Sequence, residues 1–179
     1  VQKSIFSLLL LAFTALPWAY GQLVPEKTGS KMNRSEAQAA LDFHNKVRKR
    51  VSVPPLEWSE ELSTYAQEWA DYLAGNNSCR MEHRATFNRN YKKAGENLFW
   101  GSVSTFTPLD AAQSWYEEIT DYKYGTITIK NYHKTGHYTQ MIWKKSVVMG
   151  MGISVCRNGA VLIVANYLPP GNYIGEKPY

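Results

Sequence analysis

The chain has 179 residues, 44% of them hydrophobic and 20% charged, with a formal charge of +5 at neutral pH. That length fills one domain and leaves little for a second, and ordinary glycine, proline and charge content excludes global disorder. Basic residues cluster in two short runs, Lys46, Arg48, Lys49 and Arg50, then Arg89, Lys92 and Lys93; neither is dense enough for a nucleic-acid tract, so no nucleic-acid partner is expected and both read as solvated faces, with weak attraction to anionic surfaces as the functional alternative.

Lys3 precedes an apolar run from Ile5 to Leu16, followed by Pro17, Ala19 and Gly21. A charged start, a short apolar stretch and small residues make a secretory leader over residues 1–21, cleaved after Gly21 or, alternatively, after Ala19. The run is too short for a typical membrane span, so no transmembrane anchor is expected. Residues 22–34 are polar and read as a flexible lead-in to one domain over residues 35–179. Ser35, with Gln38 three residues on, predicts a capping box for a helix whose stripe is Ala37, Ala40, Leu41, His44 and Val47. Pro54 and Pro55 forbid its continuation past about Arg50.

Ser59 caps a second helix with Leu62, Tyr65, Ala66, Trp69, Tyr72 and Leu73 facing inward, stopped at Gly75 and Asn76. A strand is expected around Asn97 to Trp100. Thr107, Pro108 and Asp110 open a third helix, with Leu109, Ala112, Trp115, Tyr116 and Ile119 as its buried stripe. Gly136 to Trp143, the sequence GHYTQMIW, reads as one or two helical turns. The period then changes. Val147 to Val155 and Ala160 to Tyr167 are apolar runs joined by Asn158-Gly159, which predicts a hairpin of two central strands. Gly150 and Gly152 leave room for another element to approach closely. Helices first and a hairpin last give an α+β layered domain.

The chain holds two cysteines, Cys79 and Cys156. In a secreted chain an even pair reads first as one disulfide, with two separate buried thiols as the alternative. Asn33 and Asn76 begin glycosylation sequons, each near a predicted helix end.

GHYTQMIW combines a histidine, a threonine, a glutamine and a tryptophan in eight uncharged residues. His83, Glu96, Glu118 and His137 are the polar residues that chemistry would bring together: imidazoles and carboxylates can hold a divalent cation such as zinc, or act as general acid and base. No compact ligand spacing joins them, and there is no HExxH or nucleophile elbow. His44 sits on an apolar stripe and reads as a packing histidine; His133, between polar neighbours, reads as loop surface.

Several segments together resemble one family. GHYTQMIW resembles the hallmark motif of the CAP superfamily of cysteine-rich secretory, antigen 5 and pathogenesis-related class one proteins. AGENLFW from Ala94, Trp115-Tyr116-Glu117-Glu118, the closing run Asn166 to Tyr173, the helix around His44-Asn45, and Pro55-Leu56-Glu57-Trp58 are similar to its other motifs, in the same order. The resemblance covers about Ser35 to Tyr173. It implies a three-layer α-β-α sandwich around a central antiparallel sheet, and a cleft holding His83, Glu96, Glu118 and His137. It also implies zinc or another divalent cation on the two histidines. The chain departs from the family pattern in three places: Arg84 follows His83 where serine is usual, and Met151 and Ala165 stand where cysteines are common.

The functional expectation is a secreted, non-enzymatic protein. Its ligand would be a sterol or fatty acid near Phe106, Tyr116, Tyr122, Tyr124 and Ile127, a cation in the cleft, or both. The alternatives are a metal-assisted hydrolase using His83, Glu96, Glu118 and His137, and an extracellular ligand for a protein receptor in defence, venom or host–parasite interaction.

Overall fold

The computed structural model describes residues 22–84 and 94–179; the leader and the second basic run, Arg89, Lys92 and Lys93, lie outside the described residues. The elements are α1 (Arg34–Arg50), β1 (Glu57–Trp58), α2 (Glu60–Gly75), β2 (Gly95–Gly101), α3 (Pro108–Glu117), a 3₁₀ turn at Glu118–Thr120, α4 (Ile129–Met141), β3 (Val148–Val155) and β4 (Val161–Leu168). The sheet order is β1-β3-β4-β2. The β2–β4 and β3–β4 pairs are antiparallel, while the two residues of β1 pair with β3 in parallel, so the expected antiparallel sheet is in fact mixed.

β4 explains why its sequence is apolar without alternation. Val161, Ile163, Ala165 and Tyr167 face a core built from α1, α3 and α4. Leu162 and Val164 face the opposite core, built on Ala66, Ala70, Leu73 and Ala74 of α2. A strand covered on both faces needs hydrophobic residues at every position. This is the three-layer sandwich that the family resemblance implies. Met151 and Ala165 are opposed across β3 and β4, and both are fully buried. Gly150 and Gly152 let α2 lie on β3: a Cβ at Gly150 would stand 2.3 Å from Ser63 N, and one at Gly152 2.4 Å from the Gln67 backbone. In the hairpin, Gly159 alone takes the left-handed conformation, with φ of +83°.

Four readings of the sequence change. The first cap is Asn33, not Ser35: Asn33 accepts from the Glu36 amide and Glu36 reaches back to the Asn33 amide, so the capping box begins two residues earlier. Ser35 lies in the first turn and donates to Asn33 Oδ1. The lead-in, expected to be flexible, is tied down. Val24 and Met32 are buried, the Val24 amide donates to Gln38, and Trp58 Nε1 donates to the Thr28 carbonyl.

Arg48 is not on a solvated face. It is fully buried and donates to the carbonyls of Pro54, Met141, Trp143 and Ser146, where burial lowers its pKa to about 10. A guanidinium out of water is tolerated because its fixed fork of donors is matched by carbonyl acceptors. Finally, GHYTQMIW is not a short isolated helix. Its first residues complete α4, which starts at Thr128, a cap whose hydroxyl and Asn131 form another capping box.

Candidate functional site: a cleft over the edge strand

β2 is an edge strand, and its successive residues point to opposite faces. Glu96 lies on the α2 side, opposite Asn166, while Asn97 lies on the α4 side. Each helical layer brings one histidine to the same strand end. His83 follows α2, and its Nδ1 meets Glu96 Oε1 at 2.8 Å; the Arg84 amide donates to the same oxygen at 3.1 Å. From the other layer, His137 Nδ1 meets Glu118 Oε1 at 2.6 Å, and Glu118 Oε2 accepts from the amides of His137 and Tyr138 at 2.9 and 3.0 Å. Between them is a cavity of about 170 Å³ lined by both pairs and by Asn97, Tyr132, His133 and Gly136.

The two pairs differ in freedom. The His83 side chain is 59% exposed over a Glu96 only 9% exposed, whereas His137 is 37% exposed and stacks on Trp115 with an interplanar angle of 18°. Hydrogen bonding to Glu96 raises the His83 pKa above the ordinary histidine value, against a smaller opposing effect of desolvation. In both pairs the carboxylate occupies Nδ1, and Nε2 meets no hydrogen-bond partner among the described residues. Orienting a ring through its second nitrogen in this way is how proteins present histidine to metals. Among the described residues no three His, Cys, Asp or Glu side chains converge to hold a metal ion.

A buried relay supports the cleft from below. His44 Nδ1 lies 2.8 Å from the Ala40 carbonyl and Nε2 lies 2.9 Å from the Tyr167 hydroxyl. The carbonyl can only accept, so Nδ1 carries the proton and Nε2 accepts from Tyr167. Asn97 then donates both to the Tyr167 oxygen and, at 3.1 Å, to the His137 carbonyl. Desolvation lowers the His44 pKa to about 4, as fits a neutral ring in this chain of donors. His44 is the packing histidine that its stripe predicts.

From Tyr138 to Trp143 GHYTQMIW is buried, and its polar residues bind the closing segment. Thr139 donates to Asn172 Oδ1 at 2.7 Å, Asn172 donates to the Gly136 carbonyl at 2.8 Å, and Gln140 Oε1 accepts from the Gly171 amide at 2.9 Å. Gly95 permits this clamp, since a Cβ there would stand 2.2 Å from Gln140 Oε1.

The profile of the cysteine-rich secretory protein family, CAP, matches residues 41–167. The chain belongs to the CAP family. It is 37% identical over 174 residues to pathogenesis-related protein 1 of Arabidopsis thaliana, covering 97% of each chain. It is 38% identical over 146 residues to the PR-1 type protein of Sambucus nigra, covering 82% of this chain and 83% of that one. Among solved structures, Na-ASP-1 superposes with a TM-score of 0.71 at 25% identity over 89% of this chain and 44% of its own. NaASP2 with Zn2+ gives a TM-score of 0.66 at 23% identity over 88% and 87%.

The CAP domain thus brings together His83, Glu96, Glu118 and His137, which the sequence names without any spacing to join them. It also adds two residues the sequence reading missed. His133, expected on loop surface, lies in α4 and lines the cavity with Tyr132. Its spacing of four from His137 was the available signal, hidden because the helix start at Thr128 was not recognised.

Of the five residues proposed for an apolar ligand, Tyr116 and Tyr122 both pack edge-on against Tyr138. Ile127 is 1% exposed. Phe106 packs on Phe99, and Tyr116 bonds Arg50 through its hydroxyl. Tyr124 is exposed and lies against Tyr179. Cys79 and Cys156 form the disulfide, tying the segment just before His83 to the β3–β4 hairpin. Asn33 and Asn76 are exposed at helix ends. No helix among the described residues is long and apolar enough to cross a membrane.

Proposed function

We propose that this chain is an extracellular CAP-domain protein whose cleft binds a divalent transition cation such as zinc, without turnover. The observation that carries this reading is the pair of carboxylate-held imidazoles, one from each layer, with Nδ1 engaged and Nε2 meeting no hydrogen-bond partner among the described residues. His83 and His137 would hold the ion, and Glu96 and Glu118 would orient them. The bound ion would act as a Lewis acid, joining the two layers at the cleft. The structure of NaASP2 with Zn2+ and that of manganese-bound Ac-ASP-7 lend support from the same fold.

Binding is favoured over hydrolysis by the carboxylates' own partners. Glu118 spends one oxygen on the His137 ring and the other on two amides, and Glu96 receives His83, Arg84 and Asn166. Carboxylates so engaged are anchors; a general base needs a free oxygen near substrate. Sterol or fatty acid as ligand has only Tyr124 as an exposed aromatic of the expected set. The leader over residues 1–21, the disulfide and the sequons at Asn33 and Asn76 support export and glycosylation.

Calorimetric titration of the metal-stripped, tag-free protein with Zn2+ tests the reading. One binding event is expected, weakened at least tenfold by His137→Ala and by His83→Ala. Equal binding by both variants refutes it.

A further inference from the structure

The chain has four histidines, and three of them line one cavity. His44 is the exception, sealed in the core with both nitrogens bonded. His83 and His137 are assigned above. His133 has no role there, yet it lies on the cavity wall rather than elsewhere on α4.

Its position has a definite geometric consequence. His133 and His137 are separated by four residues within the continuous helix Ile129–Met141. Such residues project from the same face one turn apart, with Cβ atoms about 5–6 Å from each other. Two histidines in this relation are a bidentate nitrogen clip, the arrangement that helical metal-binding motifs use. His137 comes to it prepared: Glu118 fixes its Nδ1 and Trp115 lies against its ring. His133 is exposed, its side chain makes no hydrogen bond among the described residues, and its ring lies 6.0 Å from that of Tyr132 between centroids. It can therefore turn toward its neighbour without breaking a bond. Gly136 lines the same wall, where a Cβ would stand 3.0 Å from the Tyr132 ring.

We infer that His133 and His137 form a helical two-histidine site for a divalent cation of imidazole preference, with Cu2+ bound most tightly. This deepens the cation reading above and shares His137 with it, but it does not need His83. The copper preference follows from the ligands. Two neutral imidazoles with open positions for water suit the tetragonal geometry of Cu2+, and affinity for nitrogen sites rises along the first-row series to a maximum at copper. No three His, Cys, Asp or Glu side chains converge among the described residues, so His83 stays outside the helical pair, and the cleft would hold zinc across the layers or copper on the helix.

The test uses the full-length secreted protein, tag-free and metal-stripped, titrated separately with Cu2+ and Zn2+ by calorimetry. The Cu2+ form is also examined by electron paramagnetic resonance for coordinated nitrogen. Variants are His133→Ala, His83→Ala and His137→Ala, each checked by circular dichroism. His133→Ala removes an exposed side chain that makes no hydrogen bond among the described residues, and leaves the fold intact. The expected result is a loss of at least tenfold in Cu2+ affinity for His133→Ala, with one coordinated nitrogen gone from the spectrum, while His83→Ala still binds Cu2+. If His133→Ala binds Cu2+ as the wild type does, with an unchanged nitrogen pattern, the inference is overturned. In that case a loss of zinc binding in His83→Ala leaves the two-layer reading standing. If instead His83→Ala binds both ions normally and His133→Ala and His137→Ala do not, the helical site holds and the two-layer reading falls. A wild type that binds neither ion overturns both.

Discussion

Acid should weaken this protein through His44, and the size of the effect can be worked out. The ring is fully buried, and desolvation holds its pKa at about 4 against 6.5 for an exposed histidine. The folded value lies below the unfolded one, so between those limits the unfolded chain binds the extra proton. The His44 contribution to stability is therefore complete above about pH 6.5 and declines as pH falls, levelling off near pH 4. Integration gives a loss of about 2 kcal/mol by pH 5 and about 3 kcal/mol by pH 4. A proton on Nε2 would face the Tyr167 O–H, which already donates there, and would disturb the relay through Asn97 to the His137 carbonyl. His83 acts in the other sense. Its raised pKa gives stability that is present below the unfolded value and lost as pH rises through the folded one.

Subtraction isolates His44. Urea midpoints are measured from pH 7 to pH 4 for the wild type and for His44→Asn. At pH 7 the variant should be less stable by about 2 kcal/mol or more, having lost a buried hydrogen-bonding partner. That deficit should shrink by about 3 kcal/mol on the way to pH 4, because only the wild type has the histidine to protonate. A deficit independent of pH would refute the assignment of His44 as the buried neutral group.

Gly152→Ala should destabilise the fold by several kcal/mol in thermal unfolding, because the new Cβ meets the α2 backbone at 2.4 Å and backbone cannot step aside. Gly159→Ala, with open space but a φ of +83°, should cost only about 1 kcal/mol. Loss of the disulfide through Cys79→Ser/Cys156→Ser frees a loop of 77 positions and should lower stability by about 4–5 kcal/mol. The same change should weaken Zn2+ binding, since it releases the segment that presents His83 while leaving His137 in place. Glu118→Gln keeps the shape but not the charge that orients His137, and should lower Zn2+ affinity about 10–100-fold by calorimetry with little change in fold.

Much of this architecture is legible in local chemistry. Ser59 and Thr107 cap the helices they were expected to cap, because an N-cap bond closes within three residues. The two strands of the hairpin and the tolerance of Gly150 and Gly152 for a close neighbour also follow from residue pattern. The first cap was displaced to Asn33 because three consecutive polar residues, Asn33, Arg34 and Ser35, offer competing starts. Arg48 looked solvated because a charged run carries no sign of which member finds four carbonyls.

The sequence by itself determined the layered α+β class, the family and the identity of His83, Glu96, Glu118 and His137. These rest on short-range periodicity, capping chemistry and ordered motifs. Only the tertiary structure decided that Glu96 serves His83 and Glu118 serves His137, each from its own layer across one edge strand. It alone placed His133 on the same wall and ran a buried relay from His44 to the cleft. The physical reason is that the cleft is made of contacts between residues 13 and 19 positions apart in the chain for the two pairs, and on opposite sides of a sheet for the whole. Periodicity assigns each residue to an element. It is the packing of one element on another that sets which side chains meet.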